Sequence, residues 1–216
     1  MPVESWPARF SELGLQISTG PVVMFRARKF LLNEPANSSS VPLLSAHTVR
    51  PFTTQWPVDK KKWPTAFSDV PESRKHLVPN RNYVLLKRFS SKEEPRRLTA
   101  SCLLQGQFRY PRLALENHLN YIYHIERELT AAEVYGIAGV FNSILFDRYF
   151  RTFSGNTQVN ATEIRTVKFP ELSRIVRIGN RLESLRNPTL AIADRIVVEE
   201  LGIDAALFTY LQERGE

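Results

Sequence analysis

The sequence predicts an α+β fold: a twisted, mostly antiparallel sheet with irregular loops, followed by a helical C-terminal region. Short apolar segments separated by glycine, proline and small polar residues precede Thr130, which is typical of strands and turns. After Thr130, apolar residues recur at steps of three and four, which is typical of amphipathic helices. A chain of 216 residues can bury a substantial core. We therefore expect one domain over residues 1–170 and a helical region over residues 171–216.

The segments predicted as strands are 15–17, 22–25, 41–44, 82–89, 97–104 and 118–125. Residues 18–21 join the first two as a loop, and alternation beyond the second strand would place Arg26 and Arg28 on one face. Prolines between residues 49 and 80 argue against long helices and central strands there. The lysine run at 59–62 is open to two interpretations, a solvated turn or a phosphate contact.

Helix signals begin at Thr130, which stands at capping-box spacing from Glu133. The apolar pattern behind it predicts one helix of about five turns, which ends by Gly155 because glycine allows a C-terminal turn. Asn160 and Glu163 repeat the capping pattern for a shorter helix that Pro170 closes.

Beyond residue 170, apolar spacing predicts an amphipathic helix with arginines on its outer side. Asn187 and Pro188 would cap and start the next helix, Gly202 would end it, and Asp204 would cap a last short one. The sequence leaves open whether these helices pack on the domain or on a partner.

The positive charge is concentrated in one part of the chain. The net charge is +7, but residues 1–170 hold 23 basic and 14 acidic residues, a balance of +9, whereas residues 171–216 carry −2. Such an excess indicates a polyanionic partner for the first part. The single cysteine, Cys102, permits no internal disulfide, and no apolar run approaches the length of a membrane span. We therefore expect a cytoplasmic protein.

A short loop over residues 155–160 contains amide and hydroxyl side chains without charge. These side chains suit contacts with phosphate oxygens and base edges. The plainer interpretation is a turn whose amides bind its own backbone.

Four blocks of sequence carry a resemblance to a known family. They are QISTGPVV followed by FRAR over 16–28; LVPN, YVL and RFSSKE over 77–93; ENHLN over 116–120; and NS, DRYFR and GNTQVNATEIR over 142–165, before Pro170. In this order they resemble the target recognition domain of gamma-class, adenine-specific DNA methyltransferases from restriction–modification systems. The chain is also similar to domains of type I specificity subunits.

The resemblance implies sequence-specific recognition of double-stranded DNA, with a methyltransferase catalytic domain or subunit as a second partner. The residues expected to bind DNA are Ser18, Thr19, Arg26, Arg28, Lys29, Arg88, Ser90, Ser91, Lys92, Asn156, Thr157 and Gln158. No metal site is expected, because His118 and His124 lack the cysteine partners of a zinc site.

The same family methylates adenine with an Asn/Asp-Pro-Pro-aromatic tetrad and a glycine-rich loop for S-adenosylmethionine. Here Asn187 and Pro188 are followed by Thr189, so the tetrad is absent from the sequence. We expect the chain to be non-catalytic alone, with S-adenosylmethionine bound by a catalytic domain outside it. Two alternatives stay open: a protein-interaction module with a basic surface, and a nuclease-type enzyme.

Overall fold

The computed structural model of the protein describes Val3 and residues 6–58, 63–90, 94–155 and 158–213. The strands in chain order are β1 (Ala8–Arg9), β2 (Leu15–Thr19), β3 (Leu31–Leu32), β4 (Ser40–Leu44), β5 (Val49–Arg50), β6 (Phe52–Thr54), β7 (Ala66–Ser68), β8 (Leu77–Pro79), β9 (Tyr83–Lys87), β10 (Ala100–Leu103), β11 (Arg112–Leu115), β12 (Leu119–His124) and β13 (Lys168–Phe169). The helices are α1 (Ala131–Asn142), α2 (Ile144–Phe153), α3 (Ala161–Thr166), α4 (Leu172–Glu183), α5 (Leu190–Leu201) and α6 (Ala205–Glu213).

Three layers build the fold: helices, a six-stranded sheet and a five-stranded sheet. The larger sheet has the order β2-β12-β9-β10-β6-β5, and the smaller has the order β3-β7-β4-β11-β8. Strands β1 and β13 form a separate antiparallel pair. Of the ten pairings between described strands, only β10–β6 and β11–β4 are parallel. The predicted α+β class with mostly antiparallel sheets is confirmed.

Strand β9 shows why the larger sheet lies in the middle. Its side chains alternate between the two faces, as the period of a strand requires. Val84 and Leu86 join the core shared with the helices, while Tyr83 and Leu85 join the core between the two sheets. Both faces are therefore buried.

The segment from Val22 to Phe30 covers the outer face of the smaller sheet. Val22 and Ala27 are buried there with Val41, Leu43 and other residues of that sheet. The predicted strand over 22–25 is wrong, since Val22 makes one isolated bridge and residues 24–26 form a turn. The backbone of β2 pairs with β12 instead of forming a hairpin with this segment.

The predicted five-turn helix is two helices, α1 and α2, separated by a break at Ser143. Asn142 causes the break, because its amide nitrogen donates to the Ala100 carbonyl at 2.8 Å and its oxygen accepts from the Ala100 amide at 2.9 Å. Ser143 then has an extended backbone and caps α2. Because the end of α1 is anchored to β10 in this way, the chain starts a second helix, α2, after Ser143.

The helix caps predicted from the sequence are confirmed at some positions and wrong at others. The Thr130–Glu133 capping box and the Asn160 cap of α3 are confirmed, as is Gly202 in the left-handed conformation after α5. Glu163 accepts from the Ser154 hydroxyl at 3.1 Å instead of completing a box.

One further cap was assigned wrongly, and one helix end was placed correctly for a different reason. Thr189 caps α5, in place of Asn187 and Pro188, by accepting from the Ile192 amide at 3.3 Å. Helix α2 ends before Gly155 as predicted, but its C-cap is Ser154 with an extended backbone, and Gly155 does not have the positive φ of a glycine turn.

The C-terminal helices pack on the rest of the chain. Helix α4 lies against α1, and apolar side chains of α4, α5 and α6 join the same core as β9, β10 and β12. Residues 171–213 thus share a hydrophobic core with the preceding part, while the division at residue 170 stays a prediction. Within the described residues, none of the helices has the length and apolar character needed to cross a bilayer.

Candidate nucleic-acid interface

Four sequence-distant segments meet at one end of the six-stranded sheet: the end of β2, the end of β9, the start of β12, and residues 158–159. The Gly20 amide donates to the Leu119 carbonyl at 2.8 Å, and the Val159 amide donates to the Arg88 carbonyl at 2.7 Å. Phe89 and Gln158 form an isolated antiparallel bridge. We refer to this end, with residues 18–20, 88–89, 116–120 and 158–159, as the polar sheet end.

Ser18 and Thr19 close the polar sheet end on the side of β2. The Thr19 hydroxyl donates to Asn120 Oδ1 at 3.0 Å, and Asn120 Nδ2 donates to the Val159 carbonyl at 3.0 Å. The Ser18 hydroxyl lies 3.4 Å from the Tyr123 hydroxyl. Ser18 and Thr19 are half-buried, and these contacts hold their hydroxyl groups in position close to the surface.

Arg88 and Gln158 hold one another at the centre of the polar sheet end. Arg88 Nη1 donates to the Asn117 carbonyl at 3.0 Å. With its amide oriented by its hydrogen bonds, the Gln158 oxygen accepts from Arg88 Nε at 3.0 Å and also from Nη2. The guanidinium is therefore fixed by two partners and half-buried. Arg88 and Gln158 were each expected from the sequence to bind DNA, and the structure shows that they contact one another.

Arg26, Arg28 and Lys29 do not alternate along a strand. Arg26 lies in a turn, and Arg28 and Lys29 begin a 3-10 helix, Arg28–Phe30. All three side chains are exposed, and none forms an ion pair with a residue in the described ranges. The Val22 carbonyl, which accepts from the Asn117 amide at 2.9 Å, anchors this segment beside the polar sheet end.

Gly20 allows the two sheets to meet at this point. A Cβ on Gly20 would lie 2.3 Å from the Glu116 carbonyl oxygen, a distance that real Cβ atoms do not tolerate. Glycine is thus required because the backbone at the end of β11, at Leu115 and Glu116, is too close for a side chain.

The remaining expected DNA-binding residues divide into buried and undescribed ones. Ser90 is 7% exposed, and its hydroxyl oxygen is buried without a hydrogen-bond partner among the described residues. Ser91, Lys92, Asn156 and Thr157 lie outside the described residues, as do residues 59–62.

A buried acid–histidine pair was not anticipated from the sequence. Glu116 is 1% exposed, and its Oε1 lies 2.9 Å from Nδ1 of His118, whose side chain is 47% exposed. Burial raises the pKa of Glu116, against the opposing effects of His118 and Arg88. The His118 amide also donates to Glu116 Oε2 at 3.2 Å, so the carboxylate fixes the histidine. The one sequence feature that indicates this contact is the position of Glu116 two residues before His118.

No side-chain cluster of at least three histidine, cysteine, aspartate or glutamate residues suited to a metal ion occurs in the described ranges. Cys102 is buried, and this burial raises the pKa of its thiol.

Comparison with known proteins gives relatives of one kind. The type II methyltransferase M.BsuBI of Bacillus subtilis is 38% identical over 177 residues, which are 82% of this chain and 35% of that protein. The chain is a relative of type II methyltransferases. M.PstI of Providencia stuartii is 36% identical over the same length and the same shares of both chains. The chain therefore spans about a third of the length of these methyltransferase relatives. No family model matches the sequence.

Two solved structures align with most of the chain. A chain of a type I R-M system aligns with 97% of this chain and 45% of its own length, at a TM-score of 0.46 and 11% identity. The HsdS subunit from Thermoanaerobacter tengcongensis aligns with 99% of this chain and 48% of its own length, at a TM-score of 0.37 and 11% identity.

Proposed function

We propose that this chain recognises a specific sequence of double-stranded DNA for an adenine-specific methyltransferase of a restriction–modification system. The observation that carries the proposal is the meeting of the four motif segments at the polar sheet end. The identity of 38% with a type II methyltransferase supports it, as does the positive balance of residues 1–170. The choice of adenine rests on the sequence resemblance alone.

Phosphate contacts would come from exposed cations that form no ion pair with another described residue. Arg26, Arg28 and Lys29 project from a turn and a 3-10 helix beside the polar sheet end, where several phosphates of one strand could be reached. Such contacts position a protein on the duplex without reading its sequence.

Base reading would come from the fixed groups. The Gln158 oxygen binds Arg88, which leaves the Gln158 amide protons for a base edge or a phosphate oxygen. Arg88 is held by Asn117 and Gln158, so little conformational entropy is lost when its remaining donors bind. Ser18 and Thr19 would add hydroxyl contacts at the rim.

The methyl transfer would take place outside this chain. The sequence has Thr189 where the methylation tetrad needs a second proline, and the chain matches only 35% of its methyltransferase relatives. S-adenosylmethionine would bind in that separate part and supply the methyl group. We expect the purified chain to show no heat of S-adenosylmethionine binding by calorimetry. Stoichiometric binding would contradict this division of labour.

Selection of bound duplexes from a random pool tests the recognition itself. We expect one enriched sequence, and binding to that duplex that is about a thousandfold or more tighter than to a scrambled one. The tests of the alternatives are a metal-dependent cleavage assay for a nuclease and binding of an acidic polypeptide for a protein-interaction module. Equal affinity for all duplexes would rule out sequence recognition by this chain.

A further inference from the structure

Phe89 is a large apolar side chain that remains exposed at the polar sheet end. Its side chain is 44% exposed, although its backbone continues β9 and bridges Gln158. One edge of the ring is covered, because the His118 ring lies 5.0 Å away at an interplanar angle of 86°. The Arg88 guanidinium carbon lies 5.6 Å from the ring centroid. The ring is thus supported by its neighbours and still presents apolar surface to solvent.

The neighbours of Phe89 indicate the chemistry of what covers it. Single exposed apolar residues are common and need no partner. Phe89 differs because the Arg88 guanidinium and the His118 ring lie against its ring, and Arg88 in turn binds the Gln158 amide. An apolar protein or lipid surface would remove these polar groups from water without replacing their hydrogen bonds. A nucleotide offers an aromatic face for the ring and hydrogen-bond acceptors for the guanidinium beside it.

Support for the ring comes from the buried Glu116. The carboxylate accepts from the His118 backbone amide and lies 2.9 Å from the ring Nδ1, and the His118 ring in turn packs edge-on against Phe89. A chain of contacts therefore runs from the joint between the sheets to the exposed phenyl ring. Rigid support of this kind reduces the entropy lost when an aromatic side chain meets a ligand.

We propose that Phe89 acts as a wedge that packs against a nucleobase at an opened base step of the bound duplex. This inference rests on the proposed function and goes beyond it by assigning a contact with a base face. In stacked DNA the base faces are covered, so the contact requires partial unstacking of one step. The Arg88 guanidinium beside Phe89 would bind the adjoining nucleotide while the ring replaces the lost stacking.

The experiment uses the complete chain and the duplex selected by the wild-type protein, with 2-aminopurine replacing each adenine in turn. This base analogue fluoresces more strongly when it is unstacked. We expect wild type to raise the fluorescence at one position. Phe89→Ala should abolish that rise and weaken binding about 5- to 150-fold, the range for loss of one base–aromatic stack.

Three matched variants accompany this measurement. Ile125→Ala removes a side chain that is 60% exposed at the opposite end of β12, and should change neither fluorescence nor affinity. Phe89→Trp keeps an aromatic face and should retain both signals. Phe89→Leu keeps apolar bulk against His118, so it should fold as wild type and still lose most of the fluorescence rise. Melting curves for all four variants verify the fold.

Other results would overturn the inference. Wild-type affinity and fluorescence in Phe89→Ala would remove the wedge and leave the recognition function intact. Absence of specific DNA binding by the wild-type chain would remove both proposals. If Phe89→Ala weakened binding to polyglutamate but not to DNA, the residue would belong to a surface for an acidic protein.

Discussion

At the scale of single residues, the polar sheet end is built from side chains that bind one another before any ligand arrives. Arg88 is held by the Asn117 carbonyl and the Gln158 amide oxygen. Thr19 and Asn120 are joined in the same way, and Asn120 also binds the Val159 carbonyl. Each substitution here acts on a neighbour as well as on its own contacts.

The pair of Arg88 and Gln158 should therefore behave as a unit in DNA binding. We expect Arg88→Ala and Gln158→Ala each to weaken binding, and the double variant to bind little worse than Arg88→Ala. The coupling free energy from the double-mutant cycle should be about 0.5–3 kcal/mol, because loss of Gln158 leaves Arg88 misplaced. Titration of the selected duplex with the four proteins gives this value. Strictly additive losses would show that the two side chains bind DNA independently.

The buried Glu116 should make stability depend on pH. Burial raises the pKa of this carboxyl above its ordinary value of about 4.5, so between the two values the native state binds more protons than the unfolded state. The free energy of unfolding should then decline as pH rises from about 4.5 through the native pKa. Glu116→Gln lacks this titration, so its stability relative to wild type should rise over that window. Urea unfolding at intervals between about pH 4 and pH 7 measures the difference. A difference that stays constant with pH would argue against a raised native pKa.

At the scale of elements, helices α1 and α4 approach until their backbones touch. A Cβ on Gly179 would lie 1.7 Å from the Ala132 carbonyl oxygen, and one on Gly136 would lie 2.0 Å from the Ile175 carbonyl oxygen. Small residues at both crossing points allow this distance. The contact joins α4 to the central helix behind the six-stranded sheet, and so supports the strands that form the polar sheet end.

Gly179→Ala should destabilise the protein even though alanine favours helices. Helix propensity alone would stabilise the variant by about 1 kcal/mol. The clash with Ala132 is with backbone, which cannot rotate away, so separation of the helices should cost about 1–3 kcal/mol or more beyond that gain. Gly106→Ala is the control, because its added Cβ would meet no atom within 4 Å among the described residues beyond its chain neighbours. Equal melting temperatures for the two variants would contradict this description of the helix contact.

At the scale of the whole molecule, the arginines of α4 are used in ion pairs, whereas the cations of residues 26–29 form none within the described ranges. Arg177 and Arg181 of α4 bind Glu200 of α5 at 3.1 Å and 3.0 Å. The side chains of Arg26, Arg28 and Lys29 lack such partners among the described residues. The arginines predicted for the outer side of the first C-terminal helix thus connect two helices. The excess positive charge of residues 1–170 remains for a partner.

The salt dependence of DNA binding should distinguish these two groups of cations. Arg26→Ala, Arg28→Ala and Lys29→Ala should each weaken binding to all sequences alike. Each should also reduce the slope of log affinity against log salt by about 0.9, the effect of one lost phosphate contact. Arg177→Ala serves as the control and should leave the slope unchanged. An unchanged slope in the first three variants would place them away from the DNA.

The sequence by itself determined the features that depend on neighbours along the chain. Three-to-four periodicity located the helical segments, whereas alternation identified β2, β4, β9, β10 and β12 but not the other eight described strands. The caps at Thr130 and Asn160 followed from side chains three residues or fewer from their backbone donors. The resemblance blocks indicated which segments belong to one family.

Tertiary structure decided what depends on distant contacts. The helix break at Ser143 follows from the bonds between Asn142 and Ala100, 42 residues away in sequence, which periodicity cannot reveal. The pairing of β2 with β12, more than 100 residues later, replaced the predicted connection of two strands by residues 18–21 and brought Thr19 to Asn120. Burial of Glu116 and exposure of Phe89 likewise depend on how the layers pack, because the same residue types occur on either side of a protein surface.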